Sequence, residues 1–101
     1  MAVKIKWSPE AFEDVESIAQ YIARDSQQYA RTIVEKIIDT CDNISNFPRI
    51  GRIVPEANDV KIRECLVYNY RLVYKVDRFA VLIIAVIHDK RSFSFFAERL
   101  G

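Results

Sequence analysis

Three runs follow one another: Val60-Lys61-Ile62-Arg63-Glu64-Cys65-Leu66-Val67-Tyr68, then Tyr70-Arg71-Leu72-Val73-Tyr74-Lys75-Val76, then Phe79-Ala80-Val81-Leu82-Ile83-Ile84-Ala85-Val86-Ile87-His88. Asn69 separates the first pair and Asp77-Arg78 the second. Each run is rich in β-branched and aromatic side chains, and the polar breaks are short enough for tight hairpins. The reading is three consecutive antiparallel strands. The third run is apolar from Phe79 to Ile87, which predicts an inner strand buried on both faces. In the second, period two places Arg71, Val73 and Lys75 on one face and Tyr70, Leu72 and Tyr74 on the other.

Upstream the period changes. Val3, Ile5 and Trp7 alternate with Lys4 and Lys6, as in a half-buried strand. Ser8-Pro9-Glu10 then opens a helix: serine caps, proline at the first position wastes no amide, and glutamate meets the positive end of the dipole. Phe12, Val15, Ile18, Ala19 and Ile22 give that helix an apolar face. After Asp25-Ser26 a second stripe runs through Ala30, Ile33, Val34, Ile37, Cys41 and Ile44. The short connection predicts an antiparallel helical hairpin. Asn46 to Asp59, with two prolines and a glycine, reads as a loop in which Gly51 supplies a positive φ. The tail Phe93–Gly101 is expected to form a short helix. The predicted fold is α+β: an N-terminal strand, an antiparallel two-helix hairpin, then a three-stranded antiparallel sheet with the helices packed on one face.

With 101 residues, the chain reads as one domain over 1–101. Half the residues are hydrophobic and 12% aromatic, enough for a packed interior. Formal net charge is only +1, which argues against coating nucleic acid by bulk attraction. The charge is nevertheless regional. Residues 1–46 hold five Lys/Arg against eight Asp/Glu, whereas 47–101 hold ten against six. No signal peptide is expected, and the apolar run at 79–87 is far short of the ~20 residues of a membrane-spanning helix. Cys41 and Cys65 match no metal or redox spacing, so no metal and no cofactor are expected, and the chain reads as reduced and cytoplasmic.

The residues that invite a function are the cations of the C-terminal half. Arg49 and Arg52 flank Gly51; Lys61, Arg63 and Arg71 lie on the strands; His88, Lys90 and Arg91 follow the last one. Guanidinium groups stay charged and form forked hydrogen bonds suited to phosphates or carboxylates. They are expected to converge on the sheet face left open by the helices, with Glu64 orienting a nearby arginine.

Trp7-Ser8-Pro9-Glu10-Ala11, the helical hairpin, Phe47-Pro48-x-x-Gly51-Arg52, Arg63-Glu64, Asn69-Tyr70-Arg71-Leu72-Val73-Tyr74 and His88-x-x-Arg91 together resemble the RelE/ParE superfamily of bacterial toxins. These are the toxin halves of type II toxin–antitoxin pairs, and the resemblance covers nearly the whole chain. It implies a cognate antitoxin, no membrane, and operator DNA contacted only through the antitoxin. Two targets are implied. RelE-like members cut mRNA on the ribosome, which needs a base, an acid and cations around the phosphate. For that activity Arg71 and Arg91 match family arginines, Lys61 and Arg63 stand for the basic residues of the preceding strand, and His88 replaces a C-terminal tyrosine absent from Phe93-Ser94-Phe95-Phe96-Ala97. ParE-like members inhibit DNA gyrase and need no nuclease residues. The Phe-Pro-x-x-Gly-Arg loop and the missing tyrosine are nearer to that branch. A third reading is an inactive relative that only binds an antitoxin. Under any of them, Arg49, Arg52, Lys61, Arg63, Arg71, Lys90 and Arg91 are the residues expected to meet target or antitoxin.

Overall fold

Ser8 begins the ordering of the N-terminal half. In a computed structural model, which describes residues 2–100, its hydroxyl accepts the Ala11 N–H at 3.1 Å and starts helix α1 (Pro9–Ala23) after strand β1 (Lys4–Trp7). Ser26 does the same for α2 (Gln27–Asn46), accepting from the Tyr29 N–H at 3.0 Å. The two caps are separated from each other by one apolar-faced helix, so α1 and α2 pack together across a three-residue connection. The α2 stripe is as expected, with Ala30, Ile33, Ile37, Cys41 and Ile44 buried. On α1 the register differs. Ala11 is the buried residue and Phe12 is exposed, because the inward line runs 11, 15, 18, 22 rather than through position 12.

The sheet has five strands rather than the expected three, in the order β1-β5-β4-β3-β2. Strands β3 (Ile62–Val67), β4 (Tyr70–Val76) and β5 (Ala80–His88) form the expected antiparallel core. β1 joins β5 in parallel, with Lys4 opposite Ala80 and Trp7 opposite Ile83, so the sheet is mixed. The segment expected to be one loop contains a short edge strand, β2 (Arg52–Ile53), and a 3₁₀ turn at Pro55–Ala57. The tail forms two 3₁₀ turns, Phe93–Phe95 and Ala97–Leu100, in place of one helix; Gly101 lies outside the described residues. Among the described residues, no helix is long and apolar enough to cross a membrane.

The helices cover one sheet face, where Ile33, Ile37, Cys41 and Ile44 meet Leu72, Tyr74, Val81, Ile83 and Val86. The other face is partly covered by the chain's own tail. Val54, Ile62, Val73, Ile84, Ala85, Ile87 and Phe96 form a second cluster there, with Phe93 and Leu100 against it. β5 serves both clusters through a bulge: Val73 pairs with Ala85 and Tyr74 with Ile83, leaving Ile84 as the extra residue. Its backbone groups find side-chain partners. The Val86 N–H donates to Asp14 Oδ2 at 3.0 Å, and the Ile84 carbonyl accepts from Arg99 Nη1 at 3.2 Å. Arg99 also pairs with Asp14 at 2.6 Å, tying tail, helix and bulge together.

Tyr74 fixes the bend between α2 and β2. Its buried hydroxyl donates to the Pro48 carbonyl at 2.8 Å and accepts the Gly51 N–H at 2.9 Å. Gly51 has no positive φ, contrary to expectation. Its requirement is space: a Cβ there would lie 2.6 Å from the Tyr74 hydroxyl and 2.7 Å from the Glu64 carbonyl. Positive φ falls instead at Asn58 and Tyr68, the latter in the two-residue turn between β3 and β4.

Gly51→Ala is expected to cost about 2 kcal/mol or more through this overpacking, a melting drop of roughly 8 °C or more by thermal denaturation. A second expectation concerns alkali. Burial pushes the Cys41 thiol from 9.0 up to about 12 and the Tyr74 phenol from 10.0 up to about 12. From pH 9 upward the unfolded chain releases protons that the folded chain keeps, so stability falls as pH rises toward 12, at about 1.4 kcal/mol per tenfold difference in proton affinity. Urea midpoints at pH 8 and pH 11 measure the slope, and Cys41→Ala with Tyr74→Phe should flatten it.

Candidate functional site

Glu64 sits on the sheet face away from the helices, because it pairs in register with Val73 of the second cluster. Its residue is only 2% exposed. A carboxylate this deep must be compensated. Arg52 Nε donates to Oε2 and Arg71 Nε to Oε1, each at 2.6 Å. The two arginines are not equivalent: the Arg52 side chain is 70% exposed, that of Arg71 only 10%. Arg71 donates from Nη1 to the Arg91 carbonyl at 3.1 Å, and its guanidinium lies 5.5 Å from the centroid of the buried Phe96 ring. The tail thus roofs the second arginine. A shallow depression of about 370 Å³ opens beside the trio, and Glu56 and Asp89 join Glu64 around it. Two cations therefore face three carboxylates.

The remaining cations lie elsewhere, so the expected convergence on one face is not what the fold produces. Arg63 alternates with Glu64 and faces the helix side, where Nη1 donates to the carbonyls of Gly51 at 2.8 Å and Arg49 at 3.1 Å. It holds the bend. Arg49, Lys61 and Arg63 line a groove of about 900 Å³ near the α2 C-terminus and the β4–β5 turn. His88, Lys90 and Arg91 border a third depression, of about 610 Å³, with Tyr21, Tyr70 and Phe95. There His88 Nδ1 lies 3.1 Å from Asp89 Oδ1 and accepts the Lys90 N–H at 3.2 Å. The Arg91 guanidinium stacks 4.5 Å from the Phe95 ring centroid. The eight candidate positions thus divide among three places, and Arg52 and Arg71 meet at a shared carboxylate rather than at an open anion site.

Two structural groups escaped the sequence reading. Asp14 and Arg99 are eighty-five residues apart, yet they close the β5 bulge. A signal existed for the first: Asp14 falls on the 11–15–18 line of α1, and a charge on an apolar stripe calls for a buried partner. Nothing local identifies Arg99 as that partner.

Comparisons with known proteins agree with this fold. A family model described as the ParE toxin of type II toxin–antitoxin system, parDE, matches residues 5–93. No curated protein sequence matches the chain. Among solved structures, the chromosomal ParDE system of P. aeruginosa is similar with TM-score 0.70 and 16% identity, covering 86% of this chain and 96% of that one. A mutant of the E. coli toxin RelE in the free state is similar with TM-score 0.73 and 20% identity, covering 100% of both chains. The YoeB dimer of Staphylococcus aureus is similar with TM-score 0.61 and 22% identity, covering 87% and 98%. At these identities the structural likeness concerns the fold.

The asymmetry of the trio makes a quantitative expectation. Glu64→Gln leaves the buried Arg71 charge without its counter-ion and should cost about 3–5 kcal/mol. Arg52→Ala removes a mostly solvated partner and should cost under about 1 kcal/mol. Urea unfolding of both variants checks the ratio; equal losses would mean that the two pairs are energetically alike.

Proposed function

The chain belongs to the ParE toxin family of type II toxin–antitoxin systems, and on that premise we propose that it arrests growth by binding DNA gyrase. It does so without nuclease chemistry and is neutralised by a cognate antitoxin. The observation that carries this reading is the neutralisation of Arg71. Metal-independent RNA cleavage would place an open cation array at the scissile phosphate, with an acid and a base beside it. Here Glu64 accepts from Arg71 at 2.6 Å, Phe96 roofs it, and the adjacent depression holds more carboxylates than cations. Such a surface repels phosphate. Arg63 directs its Nη1 donors to backbone carbonyls of the bend. Phe93, Phe95 and Phe96 carry no transferable proton at the end of the chain. In this reading Arg49, Arg52, Lys61, Lys90 and Arg91 are protein-contact residues, and His88 is a strand-end residue rather than a base. The site of action is the cytoplasm, where Cys41 and Cys65 remain thiols.

The test is a supercoiling reaction with purified gyrase and relaxed plasmid, run beside transcript mapping in cells induced without antitoxin. Loss of supercoiling or accumulation of cleaved plasmid, with intact messages, is the expected result. Codon-linked cuts in translated messages that vanish in Arg91→Ala would instead assign a RelE-like ribonuclease. Unimpaired growth would leave an inactive antitoxin-binding relative.

A further inference from the structure

Four cations that pair with no carboxylate among the described residues share one groove. Among the described residues, Arg52, Arg71 and Arg99 are the cationic side chains, besides His88, that lie within ion-pair distance of a carboxylate. The groove between the α2 C-terminus, the start of β3 and the β4–β5 turn is lined by Arg49, Lys61, Arg63 and Arg78 against the single carboxylate Asp77. Between these charges the lining is apolar. Phe47 is 65% exposed, Ile50 57% and Val60 70%. Large apolar side chains held in solvent at adjoining positions mark an interaction surface.

This surface is also rigid. Tyr74 and Arg63 hold four backbone groups of the bend that carries Phe47 and Ile50, and the Ile50 N–H donates to the Phe47 carbonyl at 2.9 Å. The side chains are displayed in a fixed arrangement before any partner arrives, which lowers the ordering cost of binding.

We propose that this groove, and not the face of Arg52 and Arg71, receives the antitoxin, through a segment whose apolar side chains are flanked by carboxylates. Charge complementarity selects the occupant: four cations against one carboxylate here, two cations against three carboxylates beside Glu64. The proposal rests on the toxin–antitoxin reading and adds the place and chemistry of the contact. Apolar anchors fill the space over Phe47, Ile50 and Val60, while acidic side chains meet Arg49, Lys61 and Arg78.

The experiment titrates the full chain with the product of the adjacent reading frame by calorimetry, comparing wild type with Arg49→Glu/Arg78→Glu, with Ile50→Asp, and with Lys36→Glu on the outer side of α2. Circular dichroism and melting verify that each variant is folded. The groove variants should bind at least tenfold more weakly, the control as wild type, and the wild-type affinity should fall with added salt. An antitoxin whose flanking carboxylates are changed to lysine should regain affinity for the Arg49→Glu/Arg78→Glu chain. Folded groove variants that bind like wild type would overturn the proposal while leaving the toxin–antitoxin reading intact. Absence of any complex with wild type would overturn both. A concentration-dependent dimer of the free chain that Ile50→Asp abolishes would place a second copy in the groove and also overturn it.

Discussion

One buried carboxylate organises the sheet face opposite the helices. Glu64 on β3 reaches Arg52 on β2 and Arg71 on β4, so a single side chain ties three adjacent strands. Desolvating a carboxylate costs several kcal/mol, and only close charge-assisted donors offset that. Both pairs at 2.6 Å satisfy the requirement. Arg71 must then be buried too, and its Nη1 donates to the Arg91 carbonyl while the Phe96 ring lies beside its guanidinium. Glu64 thus acts on the C-terminal tail through Arg71, while Arg99 anchors the tail independently to Asp14.

The same logic governs the bulge of β5 and the bend before β2. A strand buried on both faces cannot leave its bulged backbone unpaired, so Asp14 and Arg99 reach across helix and tail to satisfy it. The bend cannot approach the sheet closely without a residue lacking a Cβ, so Gly51 lies against Tyr74. Each polar contact here replaces water that packing has excluded. Each also positions surface: the Tyr74 and Arg63 contacts hold Phe47 and Ile50 outward, and the Arg71 contact holds Arg91 at the end of its turn.

For function, the availability of a charge matters more than its presence. Counting arginines in the sequence suggests one anion-binding face. In the folded chain the most deeply placed arginine is already neutralised, and the free cations are displaced to the rim of an apolar groove and to the end of β5. That distribution suits recognition of an acidic, partly apolar protein segment better than stabilisation of a phosphate in flight.

Local pattern was sufficient for the elements whose causes are local. Ser8 and Ser26 as caps, the α2 stripe, the two-sided apolar character of β5 and the alternation along β4 are all legible because side-chain period and capping depend on neighbours a few residues away. Neither the parallel pairing of β1 with β5 nor the little strand β2 could be read, since edge pairing depends on what the rest of the sheet leaves unsatisfied. The candidate site divides in the same way. Composition and order named the arginines and even Glu64 as a partner for one of them. Only tertiary structure decided that Glu64 would bind two, that Arg63 would turn to the other face, and that Arg99 would find Asp14. The reason is physical: a charge's worth is set by burial and by the atoms within a few ångströms, and those are properties of three-dimensional packing rather than of position along the chain.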